Sequence, residues 1–334
     1  MKRILITGSA GFIGFHLAKR LLDLGYSVMG VDNLNNYYDT KLKFDRLENL
    51  NIYSDKKNLE YNFLKLDISS KEEVEGLFKR HNFDIVINLA AQAGVRYSLQ
   101  NPHLYTQSNL VGFSNIIDSS RRSNIEHFIF ASSSSVYGMN IKQPFSTDDN
   151  TDLPISLYAA TKKANELIAH SYSHLYQMSC TGLRFFTVYG PFGRPDMAYY
   201  SFTNAIEKGE SIDVFNNGEM LRDFTYIDDI TEAISKIVQK KPKVINSKFS
   251  NAYAPFRIFN IGNNNPVTLK RFIEAIEDAL SKKAIKNLLP MQKGDVPVTF
   301  ADIDDLITEY GFNPSTSIED GIKKFVEWYR NYHK

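Results

Sequence analysis

The chain has 334 residues, 39 of them basic and 38 acidic, so it is nearly neutral at pH 7. This balance excludes the basic stripe of nucleic-acid-binding and membrane-surface proteins, and no apolar run approaches the ~20 residues of a membrane-spanning helix. A first strand predicted from residue 2 leaves no room for a signal peptide, so we expect a cytoplasmic protein with no nucleic-acid or membrane partner.

The beginning of the chain predicts a strand, a glycine turn and a helix. Residues 2–7 form a short apolar run, Gly8, Gly11 and Gly14 follow, and an amphipathic stretch then reaches Leu24. This order is typical of dinucleotide-binding units, where the glycines allow a tight turn, close approach of a pyrophosphate and helix packing. The N-terminus of the helix would offer its N–H groups to the phosphates.

The second predicted strand, Ser27–Asp32, indicates which dinucleotide binds. A carboxylate at its end accepts hydrogen bonds from the adenosine ribose and repels a 2′-phosphate, so Asp32 favours NAD over NADP. Asn33, rather than an arginine, follows it and agrees with NAD. An ordinary turn aspartate is the alternative. Residues 33–58 predict a loop and a surface helix without chemistry of their own.

The next strands carry further candidate contacts. Strand three, Tyr61–Leu66, ends before Asp67, whose carboxylate would meet the adenine amino group or cap the next helix. Strand four, Phe83–Leu89, runs into a segment rich in small residues, 90–94, where a cofactor could lie against the backbone. A long helix, His103–Arg122, is predicted to follow.

The clearest chemical signal combines a serine turn with a tyrosine–lysine pair. Strand five, His127–Ala131, leads into the serine run 132–135, and a later helix is predicted over Leu157–Tyr176. Tyr158 and Lys162 lie four residues apart, on one face of this helix. An ammonium so close to a phenol favours the phenolate and lowers its pKa from ~10, which would make Tyr158 a general base. The pair alone occurs by chance, but together with the two turns it indicates an active site.

The alternation of strands and helices, completed by strand six at Thr181–Phe186, predicts an α/β fold. We expect a Rossmann-type doubly wound parallel sheet, with a smaller, mixed α/β C-terminal domain for the substrate. The first domain would comprise residues 1–186 and about 223–261, and the second about 187–222 and 262–334.

No metal site is expected. The single cysteine, Cys180, heads an apolar strand and predicts a buried structural thiol. His170 and His174 have the spacing of helical metal ligands, but no carboxylate completes a site, so we interpret them as helix surface or a subunit contact.

Several stretches together resemble the extended short-chain dehydrogenase/reductase family over essentially the whole chain, and within it the UDP-glucuronate 4-epimerases. They are Leu89–Ser98, Ala131–Gly138, Tyr158–Glu166, Thr187–Pro191, Gly193–Asp196 and Arg222–Asp229. The first, fourth and fifth are more specific to the glucuronate branch than the cofactor motifs are. One departure is Lys293, where the family usually has proline, and it concerns loop stiffness.

The resemblance implies an isomerase that converts UDP-glucuronate to UDP-galacturonate through a transient 4-keto sugar, with NAD as cofactor, in polysaccharide biosynthesis. Tyr158 would take the proton of the 4-hydroxyl, and Lys162 would hold the nicotinamide ribose. Ser133 would relay the proton and Ser135 would orient the sugar. The implied cofactor contacts are Gly8, Gly11, Phe12, Ile13, Gly14, Asp32, Asn33, Asp67, Ile68, Leu89, Ala90, Ala91, Gln92, Asn109, Tyr158, Lys162 and Tyr189.

The resemblance also implies how the substrate is held. Thr187 and Arg194 would read the sugar carboxylate, Arg222 would pair with the diphosphate, and Asp295 would contact the substrate. Arg194 could instead pack on the adjacent proline, and Arg222 could form a salt bridge between the domains. The family also implies a homodimer through the helices 103–122 and 157–176.

Two other functions stay open. A neutral UDP-hexose or UDP-N-acetylhexosamine epimerase would give Arg194 no carboxylate to meet, and a non-catalytic NAD-binding protein would share the fold. Dehydratases and decarboxylases of sugar nucleotides are disfavoured, because they carry acidic residues at the positions of Ser134 and Ser135.

Overall fold

A computed structural model describes residues 1–246, 253–291 and 298–334. The chain forms two compact units. The first consists of Met1–Asn140, Thr147–Phe185 and Thr231–Phe259, and the second of Ile141–Ser146, Phe186–Ile230 and Asn260–Lys334. Residues 223–230, which the sequence suggested for the first domain, therefore group with the second unit.

Strands and helices alternate through the first unit. The strands are β1 (Arg3–Thr7), β2 (Ser27–Asp32), β3 (Tyr61–Lys65), β4 (Ile85–Asn88), β5 (His127–Ser133) and β6 (Cys180–Phe185). The helices are α1 (Phe12–Asp23), α2 (Lys41–Lys57), α3 (Lys71–Arg80), α4 (Val95–Gln100), α5 (Pro102–Tyr105), α6 (Phe113–Arg122) and α7 (Leu157–Tyr176). A π-helix covers Thr106–Gly112, and a 3₁₀-helix covers Ser134–Tyr137.

The rest of the described chain contains further strands, five α-helices and a 3₁₀-helix at Asn216–Gly218. The strands and α-helices are β7 (Thr187–Tyr189), α8 (Ala198–Lys208), β8 (Ser211–Phe215), β9 (Leu221–Arg222), β10 (Phe224–Tyr226), α9 (Ile227–Gln239), β11 (Ile245–Asn246), β12 (Tyr253–Ala254), β13 (Phe256–Ile261), β14 (Val267–Thr268), α10 (Leu269–Leu280), β15 (Ile285–Leu289), β16 (Val298–Thr299), α11 (Asp304–Tyr310) and α12 (Ile318–Tyr332). The three-stranded sheet β14-β9-β16 is mixed, since β14 runs antiparallel and β16 parallel to β9.

The main sheet has the order β13-β6-β5-β4-β1-β2-β3. Each pairing among β1 to β6 is parallel, and the order reverses between β1 and β4. This is the doubly wound Rossmann arrangement, in which ligands bind at the carboxyl ends of the strands near the reversal. The fold prediction is confirmed, and the structure also places β13, Phe256–Ile261, at the edge of the sheet.

The core lies on the faces of this sheet. All six residues of β2 are buried, and so are Ile4, Leu5 and Ile6 of β1. Such continuous apolar strands are expected where helices cover a parallel sheet on both faces. Cys180 is fully buried at the start of β6, and burial raises the pKa of its thiol.

The predicted long helix over His103–Arg122 was wrong as one continuous α-helix. The structure has three successive segments there, and the π-helix Thr106–Gly112 occupies the middle. A π-helix places an extra residue in the turn, and here it contains the buried Asn109. Within the described ranges, no helix is long and apolar enough to cross a membrane.

Candidate active site

The turn between β1 and α1 needs glycine for steric reasons. Gly8 has a φ of +74°, and a Cβ there would lie 2.8 Å from the backbone nitrogen of Ala90. A Cβ on Gly14 would lie 2.2 Å from the carbonyl oxygen of Gly8. Gly11 precedes the first helical residue, Phe12, and caps the helix without a side-chain hydrogen bond. The turn thus has the close backbone approach and helix N-terminus that suit a diphosphate.

Asp32 ends β2 in a charged and buried setting. One of its carboxylate oxygens, Oδ1, accepts the backbone N–H of Leu34 at 2.8 Å and lies 3.7 Å from the Lys43 ammonium. The side chains of Asp32 and Lys43 are only 9% and 6% exposed, and burial lowers the pKa of Lys43. Lys43 also donates to the amide oxygen of Asn35 at 3.1 Å.

A second buried cation of α2 contacts the glycine turn itself. Arg46 is fully buried and donates to the carbonyl oxygen of Ala10 at 2.8 Å and to the Tyr38 hydroxyl at 2.7 Å. Residues 33–58 were predicted to be a loop and a surface helix; much of α2 is indeed exposed, but the structure buries its Lys43 and Arg46 side chains. The sequence contained one signal for this burial: Lys43 and Arg46 lie three residues apart, beside leucines at helical spacing.

Asp67 closes the turn after β3. Its carboxylate accepts the amide N–H of Asn33 at 2.9 Å and both the backbone N–H and the hydroxyl of Ser69, at 2.8 and 2.7 Å. Burial disfavours its ionised form, but these hydrogen bonds hold the pKa of Asp67 below its ordinary value. The N-cap of α3 is Ser70, so the capping alternative for Asp67 is wrong. The contact of Asp67 and its neighbour Ile68 with adenine stays a prediction.

Asn109 ties the segment after β4 to α7. Its side-chain oxygen accepts the backbone N–H of Gln92 at 2.8 Å, and its amide nitrogen donates to the Gln92 carbonyl and the Thr161 hydroxyl, both at 3.1 Å. Asn165 of α7 donates to the Asn109 carbonyl at 2.7 Å. Because both amide N–H groups of Asn109 bond to protein, we infer that it fixes this segment beside the helix.

Ser133 is the last residue of β5, which extends two residues beyond the predicted end. Its hydroxyl accepts the backbone N–H of Ser135 at 3.2 Å and lies 3.2 Å from the Ser135 hydroxyl. Ser133 thereby caps the 3₁₀-helix Ser134–Tyr137, while Ser134 itself takes no part in these bonds. The cap holds the two serines assigned from the resemblance next to each other.

Tyr158 and Lys162 lie in the first turns of α7, which the sequence placed at the correct residues. Ser156 caps this helix by accepting the Ala159 N–H at 3.1 Å. The Lys162 ammonium donates to the carbonyl oxygen of Ala131 at 3.0 Å and lies 5.9 Å from the centre of the Tyr158 ring. Lys162 is 4% exposed, and burial lowers its pKa to about 8. The half-buried Tyr158 and the serine turn therefore flank one buried cation.

In the second unit, the arginine predicted to read a carboxylate already contacts one. The Arg194 guanidinium donates from Nε and Nη2 to the two carboxylate oxygens of Asp196, at 3.0 and 2.5 Å. The suggested packing of Arg194 on the adjacent proline stays an alternative for its side chain. Thr187 begins β7, and its backbone N–H donates to the Asp223 carbonyl at 3.2 Å.

The remaining predicted site residues differ in their surroundings. Arg222 lies in β9, and its guanidinium donates to the Leu221 carbonyl at 2.9 Å. The Tyr189 side chain is fully buried and its hydroxyl donates to the Ser317 carbonyl at 3.2 Å, so a cofactor contact would have to use its backbone. Asp295 lies outside the described residues. Among the described residues, no cluster of His, Cys, Asp or Glu could hold a metal.

Comparisons with known proteins agree over the whole chain. The family model described as NAD dependent epimerase/dehydratase matches residues 4–262. Protein CapI of Staphylococcus aureus is 55% identical, and the match covers 99% of both chains. A probable UDP-glucuronate 4-epimerase of Rhizobium meliloti is 46% identical, covering 99% of this chain and 98% of its own length.

Two solved structures have the same fold throughout. UDP-glucuronic acid 4-epimerase from Bacillus cereus, in complex with UDP-glucuronic acid and NAD, has a TM-score of 0.85 and 30% identity over 99% of both chains. UDP-glucose 4-epimerase from Thermotoga maritima, with UDP-glucose, has a TM-score of 0.84 and 28% identity over 99% of this chain and 100% of its own.

Proposed function

The chain belongs to the NAD dependent epimerase/dehydratase family, and we propose that it interconverts UDP-glucuronate and UDP-galacturonate. An NAD-dependent UDP-sugar 4-epimerase is what its relatives and structural neighbours indicate. The choice of a uronate as the substrate goes one step beyond these comparisons. It rests on one observation, the guanidinium of Arg194 held by a carboxylate in a rigid loop.

The first unit has the groups that would hold NAD. The glycine turn would take the diphosphate, Asp32 the adenosine ribose, and Lys162 the nicotinamide ribose. The clashes that a Cβ would make at Gly8 and Gly14 support this fit, because the backbone there leaves room for no side chain. The chemistry that NAD supplies when bound is the reversible acceptance of a hydride, which allows the sugar to be oxidised at C4 and then reduced again.

Proton transfer would fall to the residues of β5 and α7. Tyr158 would remove the proton of the 4-hydroxyl and return it after the sugar has turned over. The Lys162 ammonium would stabilise the phenolate, and its burial strengthens this effect because little water screens the charge. Ser133 would bind the reacting oxygen and relay its proton, and Ser135 would orient the sugar.

The loop that carries Arg194 is built to hold a charged group in place. The backbone N–H of Arg194 donates to the hydroxyl of the fully buried Tyr199 at 3.1 Å. A Cβ on Gly193 would lie 1.9 Å from that hydroxyl, so only glycine fits there. The Phe192 ring packs 5.0 Å from the Trp328 ring of α12. The backbone is thus fixed, while the Arg194 side chain stays 22% exposed.

A uronate gives this arginine a specific task. Oxidation at C4 turns the sugar into a β-keto acid, which loses CO₂ when its carboxylate bond stands perpendicular to the ketone plane. An epimerase must hold the carboxylate in another orientation. We propose that Thr187 and Arg194 form this clamp, and that the sugar carboxylate competes with Asp196 for the guanidinium. Arg222 would pair with the diphosphate of the UDP-sugar.

The alternative is a neutral UDP-hexose or UDP-N-acetylhexosamine epimerase. The likeness to a UDP-glucose 4-epimerase keeps it in view, because the two solved structures have nearly equal TM-scores. Arg194 and its loop favour the uronate, since a neutral sugar offers no carboxylate for a charge-assisted, bidentate pair with a guanidinium. A non-catalytic NAD-binding protein would not need a buried lysine beside Tyr158.

The test is product analysis on a panel of UDP-sugars. The purified protein is incubated separately with UDP-glucuronate, UDP-glucose and UDP-N-acetylglucosamine, and the products are separated by chromatography. We expect UDP-galacturonate from the first and little conversion of the other two. No net NADH should accumulate, because the hydrogen returns to the sugar. Conversion of only the neutral sugars would support the alternative, and steady growth of absorbance at ~340 nm would indicate a dehydrogenase.

We also propose a homodimer formed through the region 103–122 and α7 (Leu157–Tyr176). Large apolar side chains are exposed on both, among them Leu104 (46%), Val111 (38%), Leu167 (58%) and Leu175 (67%). A second copy would cover them, as the family resemblance implies. A cytoplasmic location and a role in polysaccharide synthesis stay predictions.

A further inference from the structure

A buried ion pair lies directly beneath the serine turn. Arg184 of β6 donates from Nε and Nη2 to the two carboxylate oxygens of Glu166 in α7, both at 2.9 Å. The side chains are 4% and 5% exposed. This bidentate geometry fixes both the distance and the rotation between the helix and the strand.

The same carboxylate holds the strand that carries Ser133. The Ser132 hydroxyl donates to Oε1 of Glu166 at 2.6 Å, and Ser132 lies opposite Arg184 in the β5–β6 register. The Arg184 guanidinium also lies 4.8 Å from the centre of the Tyr137 ring, in the 3₁₀-helix after Ser133. Glu166 therefore connects α7 to the residues on both sides of Ser133.

On α7, Glu166 follows Lys162 by four residues and Tyr158 by eight. Residues at this spacing share one face of a helix. Any sliding or rotation of α7 that moved Tyr158 relative to Ser133 would have to break the bonds from Glu166 to Arg184 and Ser132. The three bonds thus lock the helix that carries the base against the strand that carries the serine.

A buried ion pair is weak evidence for a contribution to stability, because desolvation offsets most of its attraction. Apolar side chains could fill the same space without that cost. The value of a charged pair with a third, hydroxyl partner lies instead in its fixed geometry.

We infer that Glu166 is a positioning residue for epimerisation, which acts through Arg184 and Ser132 to hold Tyr158, Lys162 and Ser133 in register. This inference rests on the roles proposed above for Ser133 and Tyr158. It is independent of which UDP-sugar is the substrate.

The test is a double-mutant cycle between Ser132 and Ser133. Ser132→Ala removes the bond to Glu166 and leaves the ion pair intact. We expect kcat to fall ~10-fold with KM changed less than ~2-fold, since a misplaced proton relay affects the reaction step. In the Ser133→Ala background the same change should cost less than ~2-fold, because the group it positions is absent.

Ser120→Ala is the matched control. Ser120 is a fully buried serine of the same unit, and within the described part of the chain its hydroxyl donates only to the Ile116 carbonyl in α6, at 2.7 Å. Ser120→Ala should leave kcat unchanged, although it also removes the hydrogen bond of a buried serine hydroxyl. Bound NAD and the thermal midpoint are measured for every variant. A second variant, Glu166→Met with Arg184→Met, removes the ion pair and the acceptor for Ser132 together and should lower kcat in the same way.

The outcomes separate the inference from the function on which it rests. If Ser133→Ala alone keeps full activity, the proposed role of Ser133 fails. If Ser133→Ala is impaired but Ser132→Ala costs the same factor in both backgrounds, or no more than Ser120→Ala, the positioning role is overturned. Full kcat in the folded Glu166→Met, Arg184→Met variant would overturn it too.

Discussion

At the scale of single residues, the Tyr158 hydroxyl should matter most. Tyr158→Phe removes the proton acceptor and should lower kcat on UDP-glucuronate by at least ~10²-fold, with fold and bound NAD retained. The measurement is the rate of UDP-galacturonate formation. Tyr176→Phe is the control, because Tyr176 ends the same helix and is 51% exposed. Near-normal turnover in Tyr158→Phe would remove this residue from the mechanism.

Lys162 predicts how activity depends on pH. Burial lowers its pKa to about 8, so the charge that supports the phenolate is lost as the pH rises through this value. We expect kcat/KM to fall on the alkaline side from about pH 8. Lys162→Arg should shift this fall to higher pH, because a guanidinium stays charged, and Lys162→Met should lose both rate and cofactor affinity. An identical alkaline limb in Lys162→Arg would assign the titration to another group.

The proposed role of Arg194 predicts what happens to the sugar carboxylate when this side chain is removed. A charge-assisted pair of this kind contributes ~1.5–3 kcal/mol, roughly ten- to a hundredfold in transition-state binding. Arg194→Ala should reduce epimerisation of UDP-glucuronate and raise the release of CO₂ and UDP-4-keto-pentose per UDP-galacturonate, with NAD binding unchanged. Arg271→Ala is a control, because this exposed arginine of the same unit pairs with Glu319. An unaltered product ratio in Arg194→Ala would mean that another group holds the carboxylate.

At the scale of elements, α2 changes the expectation for cofactor choice. Asp32 alone predicts a preference for NAD, but Lys43 lies 3.7 Å from its carboxylate. Asp32→Ala should remove the carboxylate that repels a 2′-phosphate. It should also leave the buried Lys43 ammonium near the proposed position of the adenosine ribose. We expect it to narrow the NAD preference markedly by improving NADP binding.

The comparison that isolates Lys43 is the double variant Asp32→Ala, Lys43→Met. It should lose most of the gained NADP affinity, measured by titration of the cofactor-free protein. Equal affinity of the unmodified protein for the two cofactors would contradict the role of Asp32. Equal NADP affinity of the single and double variants would show that Lys43 does not act on the ribose.

Local patterns predicted those elements whose signals are local. Strand β2 and helix α7 were predicted with their observed bounds, because an apolar run and an amphipathic period mark them. The π-helix was missed, since the local pattern does not reveal the bonds that its Asn109 makes to Gln92 and Thr161, 17 and 52 residues away. The burial of Lys43 and Arg46 was missed for the same reason: lysine and arginine are usually exposed, and only the packed turn shows their partners.

The candidate site likewise contains features that the sequence predicted and contacts that it did not. The proximity of Lys162 to Tyr158 and the tight glycine turn could be predicted, because both depend on short spacings in the sequence. The pairing of Arg194 with Asp196, two residues on, was equally close in sequence, yet the pattern does not reveal it. It depends on a loop backbone fixed by Tyr199 and α12, and such tertiary support leaves no local signal.

At the scale of the whole molecule, the proposed dimer has a direct test. Leu167→Glu with Leu175→Glu places two charges on the exposed face of α7 and should shift the mass measured by light scattering from dimer toward monomer. The matched control is Ile285→Glu with Leu288→Glu, which changes residues 60% and 59% exposed in the second unit. A dimer that survives the α7 variant would have to use another surface.

The single, fully buried Cys180 has a practical consequence for measuring motion. Since thiol-reactive dyes need an accessible thiolate, the native chain should stay unlabelled. Cysteines introduced at Leu24 of the first unit and Ile285 of the second, 45% and 60% exposed, would then be the attachment points for a fluorophore pair. Energy transfer between them would report, molecule by molecule and during turnover, whether the units approach each other while the sugar is reacting.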